Sequence, residues 1–164
     1  MKQIIVGFSK PTKKKCGAEL IKWWLKEDYS HVILSWTDDQ NRDIVWHAAH
    51  GSTHLMLLEN FNKVNNLVKT YKLDLTTEEY NKLRDFCYQY AGTPYAFMDL
   101  LHIVIYDICK NNNINFIPEN ENGFICSEYI SLALKEAKGL TIPKPSHLMT
   151  PKDVDILLKE VLNA

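Results

Sequence analysis

The sequence predicts an α+β fold, an antiparallel sheet packed against helices, as one domain over residues 1–164. Three observations predict it. Short runs rich in β-branched and aromatic residues crowd the first half. Amphipathic stretches with helix-capping residues dominate the second. No Gly/Ser-rich linker and no internal repeat divides the chain, and 164 residues suit one core.

The elements follow in order. Lys2–Phe8 reads as a buried strand rather than a secretory leader. Ala18–Glu27 reads as a helix with Leu20, Trp23, Trp24 and Leu25 on a broad apolar face. Tyr29–Thr37 and Asp43–Ala49 read as two strands joined by the polar turn Asp38-Asp39-Gln40-Asn41. Leu55–Leu58 and Asn66–Leu73 are further strands. Thr76–Ala91 is a helix: Thr76 and Glu79 form a capping box, and Tyr80, Leu83, Phe86, Cys87 and Tyr90 make its buried stripe. A second helix is expected over 97–109, then a polar loop to Asn122 with a short strand at Ile114–Ile117. Phe124-Ile125 leads into a helix from Ser127 to Ala137, ended by Gly139. Thr150 caps a last helix with Pro151 at its first position.

Composition narrows the function. Hydrophobic residues are 46% and charged residues 24% of the chain, and the formal net charge is −1, so the bulk charge favours neither nucleic acid nor an anionic membrane. The run Lys13-Lys14-Lys15 reads as a solvated loop. No stretch approaches the roughly 20 apolar residues that span a bilayer. Cys16, Cys87, Cys109 and Cys126 show no CxxC spacing, which suits an intracellular protein with reduced thiols. The small size, the asparagine- and lysine-rich surface and the expected lack of a secretory signal suit a phage- or bacterium-encoded cytoplasmic protein.

Three polar residues stand out. Cys126, in GFICSEYISLALKEA, sits where an apolar approach meets a helix start. Free amides and the dipole at a helix N-terminus favour a thiolate, the form that attacks carbonyls. The plain alternative is a small buried residue at a strand–helix junction. His31, in YSHVILSW, shares a strand face with Ile33 and Ser35. His47 lies in DIVWHAAH. If the hairpin closes around Asp39, His31 and His47 stand directly opposite each other, and one imidazole can act as base while the other orients it. A one-residue slip would put His47 on the other face.

SHVIL, then a strand ending VWHA, then a distant CSEYI at a helix start, resembles the circularly permuted NlpC-type papain-like proteins, which include YiiX-like hydrolases and lecithin retinol acyltransferase relatives. The likeness runs from about Tyr29 to the last helix. It takes in Tyr95-Ala96-Phe97-Met98-Asp99 and the closing Pro145–Pro151 turn. It implies a permuted papain-like fold, Cys126 as nucleophile, His31 as base and His47 as the third, orienting residue. No cofactor and no metal are implied. Many YiiX-like members carry Glu in the second strand; His47-Ala48 here is similar to the acyltransferase branch.

Rival readings exist. His47, His50 and His54 in HAAHGSTH suggest zinc, but the spacing is not HExxH, and Gly51 is expected to end the strand, leaving His50 and His54 as loop residues near the cleft mouth. Cys16 also precedes a helix, beside three lysines, and reads as a reactive but non-essential thiol. Cys87 and Cys109 read as structural, His102 as a partly buried helix residue, His147 as a turn residue, and the four tryptophans as core or groove wall. The expected activity is thiol hydrolysis of a peptide, isopeptide or other acyl substrate through a Cys126 thioester. The alternatives are a lipid- or thioester-directed acyltransferase or phospholipase, and an inert papain-like binding module.

Overall fold

The structure, a computed structural model, describes residues 1–49, 51–96 and 123–163. The helix expected over 97–109, the loop and strand after it, and His50, His102 and Cys109 lie outside the described residues. Along the chain run β1 (Lys2–Pro11), α1 (Cys16–Leu25), β2 (His31–Thr37), β3 (Asp43–Ala49), β4 (Ser52–Leu57), α2 (Leu58–Val64), β5 (Asn65–Leu75), α3 (Thr77–Gln89), α4 (Cys126–Lys138), a 3-10 turn (Ser146–Leu148) and α5 (Pro151–Asn163). The five strands form one antiparallel sheet in the order β4-β3-β2-β1-β5, so the α+β expectation holds. No described helix is long and apolar enough to cross a membrane.

Alternation along the strands gives the sheet two different faces. Val6, Phe8, Val32, Leu34, Trp36, Ile44 and Trp46 point to one side and join the main core with Tyr80 and Leu83 of α3, Tyr129, Ile130 and Leu134 of α4, and Val154 and Leu158 of α5. Ile33 and Val45 point to the other side, where Phe61 of α2 covers them.

The β2–β3 hairpin fixes which residues take which face. Asp38 locks its turn: Oδ1 accepts from the amides of Gln40 and Arg42, both at 2.9 Å, and Oδ2 accepts from the Arg42 guanidinium. Asn41 takes the left-handed conformation at φ 57°. Leu34 pairs with Trp46 and Thr37 with Asp43, so the turn centres on Gln40 rather than Asp39. His31 and His47 are therefore diagonal neighbours rather than directly opposite. The offset is two residues, and an even offset keeps both on the same face.

Helix ends follow the residues that cap them. Thr76 and Glu79 make the expected capping box, and Gly139 ends α4 at φ 66°. Asp153 and Thr150 cap α5 reciprocally. Two expectations change. In α1, Trp23 is 74% and Leu20 49% exposed, so of the four residues expected on its apolar face only Leu25 and part of Trp24 pack inward. The run expected as a strand over Leu55–Leu58 stops at Leu57, and Leu58 opens α2, with Glu59 in its first turn and Lys63 in its last, the charge order the helix dipole favours.

A buried ion cluster fixes α5 to the sheet. Asp155, whose side chain is 3% exposed, accepts from Lys69 Nζ and Tyr71 Oη, each at 2.6 Å, and from Tyr29 Oη at 3.2 Å; Lys159 is 3.0 Å away. Burial alone would raise its pKa, but Lys69, Tyr71 and Lys159 together pull it down to about 2. A carboxylate held below its unfolded value contributes stability above about pH 4 that is lost as pH falls through about 2. Asp155→Asn is expected to cost about 3 kcal/mol at neutral pH in denaturant unfolding and to flatten the acid limb of stability between about pH 4 and pH 2. An unchanged acid limb would remove Asp155 as its cause. Phe61 is fully buried, and Phe61→Ala is expected to cost about 3–5 kcal/mol in the same assay.

Candidate functional site

β2, β3 and β4 carry one histidine each to the face that Phe61 covers. His31 Nε2 lies 2.9 Å from His47 Nδ1, and His47 Nε2 lies 3.0 Å from His54 Nε2. His54 Nδ1 in turn donates to the carbonyl oxygen of Ser52 at 3.0 Å. Three imidazoles thus form one hydrogen-bonded row. Phe61 packs edge-on against His47 at 5.5 Å between ring centroids and parallel to His31 at 6.5 Å. His47 is 3% exposed, while His31 and His54 are half-buried.

His54 is a correction to the sequence reading, which placed it in a loop. Gly51, at φ 104°, is the turn of a β3–β4 hairpin, and β4 begins at the next residue. His47 and His54 are direct cross-strand partners. The row does not converge on a point. His47 spends both ring nitrogens on its two neighbours, and among the described residues no group of three or more His, Cys, Asp or Glu side chains could hold a metal ion.

Cys126 reaches the region from the opposite face. It is the first residue of α4, is 5% exposed, and belongs to the main core with Tyr129 and Val32. The β2–β3 ladder stops at Leu34 and Trp46. Beyond that point, beside His31, the backbone amide of Val32 donates to the Cys126 sulfur. Burial pushes the thiol up to about 11, against the opposing pull of the backbone amides of Val32, Ser127 and Cys126 and of the Ser127 side chain. Position at the helix mouth was expected to ease deprotonation; burial outweighs it.

The surroundings join the two sides. A groove of about 520 Å³ is lined by Lys15, Ala18, Ile21, His31, His47 and Asn65, among others. Ser30, Ile21 and Tyr95 line this groove and also the narrower cavity that holds Cys126. The segment before α4 is held in place: Ala96 N donates to Phe124 O and Phe124 N to Pro94 O, each at 3.0 Å. Gly123 permits that approach, since a Cβ there would stand 2.8 Å from Pro94 O. Ser127 Oγ donates to Met149 O at 2.5 Å and Ser146 Oγ to Glu128 Oε1 at 3.1 Å, which pin the first turn of α4 to the 146–149 turn.

The remaining sequence candidates separate from this place. Cys16 is exposed at the start of α1, and Cys87 is fully buried in α3. His147 sits in the 3-10 turn, as expected. Sequence reasoning missed Phe61, for want of the α2 assignment, and misplaced His54.

No protein-family model matches the sequence, and no curated protein does. Among solved structures, the chain is similar to the metalloprotein YiiX of Escherichia coli O157:H7, DUF1105, with a TM-score of 0.60 and 17% identity over 88% of this chain and 69% of that one. At that identity the likeness is one of fold: this chain shares the fold of YiiX.

Proposed function

We propose that the protein is a cysteine hydrolase of permuted papain-like architecture, with Cys126 as nucleophile, His31 as general base and His47 as the residue that orients it. The observation that carries the reading is the hydrogen-bonded His31–His47 pair at the end of β2, where the amide of the next residue, Val32, holds the Cys126 sulfur. The YiiX likeness supports the fold half of the reading.

The chemistry follows from the protonation states. A thiol raised to about 11 keeps its proton at neutral pH. Attack therefore needs a base that takes the proton as the carbon–sulfur bond forms. His31 spends Nε2 on His47, so Nδ1 is the atom that receives it. The sulfur adds to the acyl carbon, the carbonyl oxygen gains negative charge, and the amides of Val32 and of the first turn of α4 are its natural donors. The imidazolium then returns the proton to the leaving amine or alcohol. Water, activated by the same nitrogen, releases the acid from the thioester.

A lipid-directed acyltransferase or phospholipase is the second reading. The exposed Trp23 and Leu20 of α1 favour it, since that helix also lends Ala18 and Ile21 to the groove. The metal named for YiiX belongs to that protein; in this chain an ion on His47 would displace one of its two imidazole partners.

A panel of amide, acyl-ester and thioester substrates decides among these. Cys126→Ser is expected to lose turnover by about 10³-fold or more with unchanged folding, and His31→Ala by about 10²–10⁴-fold. Near-wild-type turnover in Cys126→Ser would reject the assignment. In a Cys16→Ser background, iodoacetamide is expected to label Cys126 faster than buried Cys87, with that advantage lost in His31→Ala. A chelator is expected to leave turnover unchanged; loss with EDTA and return with zinc would favour a metal site instead.

A further inference from the structure

We propose that His54 is a positioning residue for the reaction: through His47, it sets which nitrogen of His31 carries the lone pair. The inference rests on the reading of His31 as base for Cys126.

The row has one fixed end. A backbone carbonyl can only accept, so the 3.0 Å contact with Ser52 O places a proton on His54 Nδ1. A neutral imidazole has one N–H, so His54 Nε2 carries the lone pair. The nitrogen facing it at 3.0 Å, His47 Nε2, must donate. His47 Nδ1 is then the acceptor, and His31 Nε2, 2.9 Å away, donates to it. The lone pair of His31 is left on Nδ1. Each neutral ring has only one N–H to give, so a carbonyl on β4 dictates the tautomer of an imidazole on β2.

The same order assists the charged state. When His31 Nδ1 takes the thiol proton, the cation faces the acceptor nitrogen of His47. Each N–H in the row points away from His31, toward Ser52 O, so the negative end of each dipole points toward the new charge. The row runs from His31 through His47 and His54 to a backbone carbonyl. The Ser52 carbonyl terminates it, the place a carboxylate or amide takes behind the histidine in other triads. The sheet supplies the rigidity. His54 is locked opposite His47 by the β3–β4 ladder, and the residue before it is tied on both sides, with Thr53 N donating to Thr93 O and Gly92 N to Thr53 O, each at 2.8 Å.

Long-range proton–nitrogen correlation spectra of the full chain, labelled with ¹⁵N-histidine and held at about pH 8 so that ordinary imidazoles are neutral, test the inference. Expected are His31 and His47 as Nε2–H tautomers and His54 as Nδ1–H. His54→Phe keeps a ring in place but cannot accept from His47; it is expected to mix the tautomers of His47 and His31 and to lower kcat roughly 10-fold or more with little change in KM. In His54→Gln the side-chain oxygen can accept from His47 Nε2, and the tautomers and most of kcat are expected to return. An Nε2–H tautomer at His54 in the wild-type protein, or unchanged His31 and His47 tautomers in His54→Phe, would overturn the inference. The spectra need no turnover. Correct tautomers together with full activity in Cys126→Ser would therefore sink the hydrolase reading while leaving the proton order intact.

Discussion

Side chains of a β-strand leave alternately on two sides, and here that parity separates two kinds of environment. On β2, Val32, Leu34 and Trp36 enter a core closed by three helices, while His31, Ile33 and Ser35 face the other way. The same division on β3 sends Ile44 and Trp46 inward and His47 out to the face that α2 covers. An imidazole placed in the main core would have to find polar partners among hydrocarbon, a cost of several kcal/mol when it fails. On the second face, three imidazoles find one another instead. Everything proposed for the chemistry depends on the β2–β3–β4 register delivering all three to that side.

Parity also explains why the proposed nucleophile must come from elsewhere. A helix packed on the main-core face cannot place a side chain through the sheet. Cys126 stands at the N-terminal end of α4, level with the start of β2, where the β2–β3 ladder has already ended. The Val32 amide meets the sulfur there, one residue from His31. The cost of that seat is burial, and burial sets the resting state of the sulfur as a thiol. A helix N-terminus stabilises an anion by about 1 kcal/mol in exposed settings; removal from water disfavours the charged form by more. Under the proposed reading, a nucleophile seated this way acts only when a base is in position, which would make the orientation of the imidazole row the quantity that governs reactivity.

Much of this was legible in the sequence because local chemistry decided it. The capping box at Thr76 and Glu79, the Gly139 stop, the α5 start at Thr150-Pro151 and the Asp43–Ala49 strand all rest on residues within a few positions of the element they define. The hairpin centre was misjudged by one position, yet the faces came out right, because the resulting offset between strands is even. The failures lie where two local signals compete. Gly51 reads equally as the end of a strand and as the turn between two; a positive φ chosen by the fold makes it the latter, and His54 moves from loop to ladder. Leu55–Leu58 is apolar enough for a strand, but Phe61 finds a buried seat only if the chain turns helical at Leu58. The spacing of Leu20, Trp23, Trp24 and Leu25 marks a broad apolar side of α1, whereas Leu20 and Trp23 stay in solvent. No local rule says how much of an amphipathic helix its neighbours will cover.

The two halves of the site are also linked by backbone. β4 carries His54, and its first residues bond to the segment that follows α3: Ser52 bridges Pro94, Thr53 Oγ1 donates to Tyr90 O, and Tyr95 N donates to Gly51 O at 2.9 Å. That segment bonds in turn to Phe124, two residues before Cys126, through the close approach Gly123 allows. The carbonyl that terminates the imidazole row, Ser52 O, therefore sits on the same short scaffold that seats the sulfur. A displacement of this scaffold would move thiol and row together, which preserves their relative placement better than two independent loops could. Pre-organisation of this kind is what the proposed reaction of a buried thiol requires, since it would depend on geometry already in place rather than on a standing negative charge.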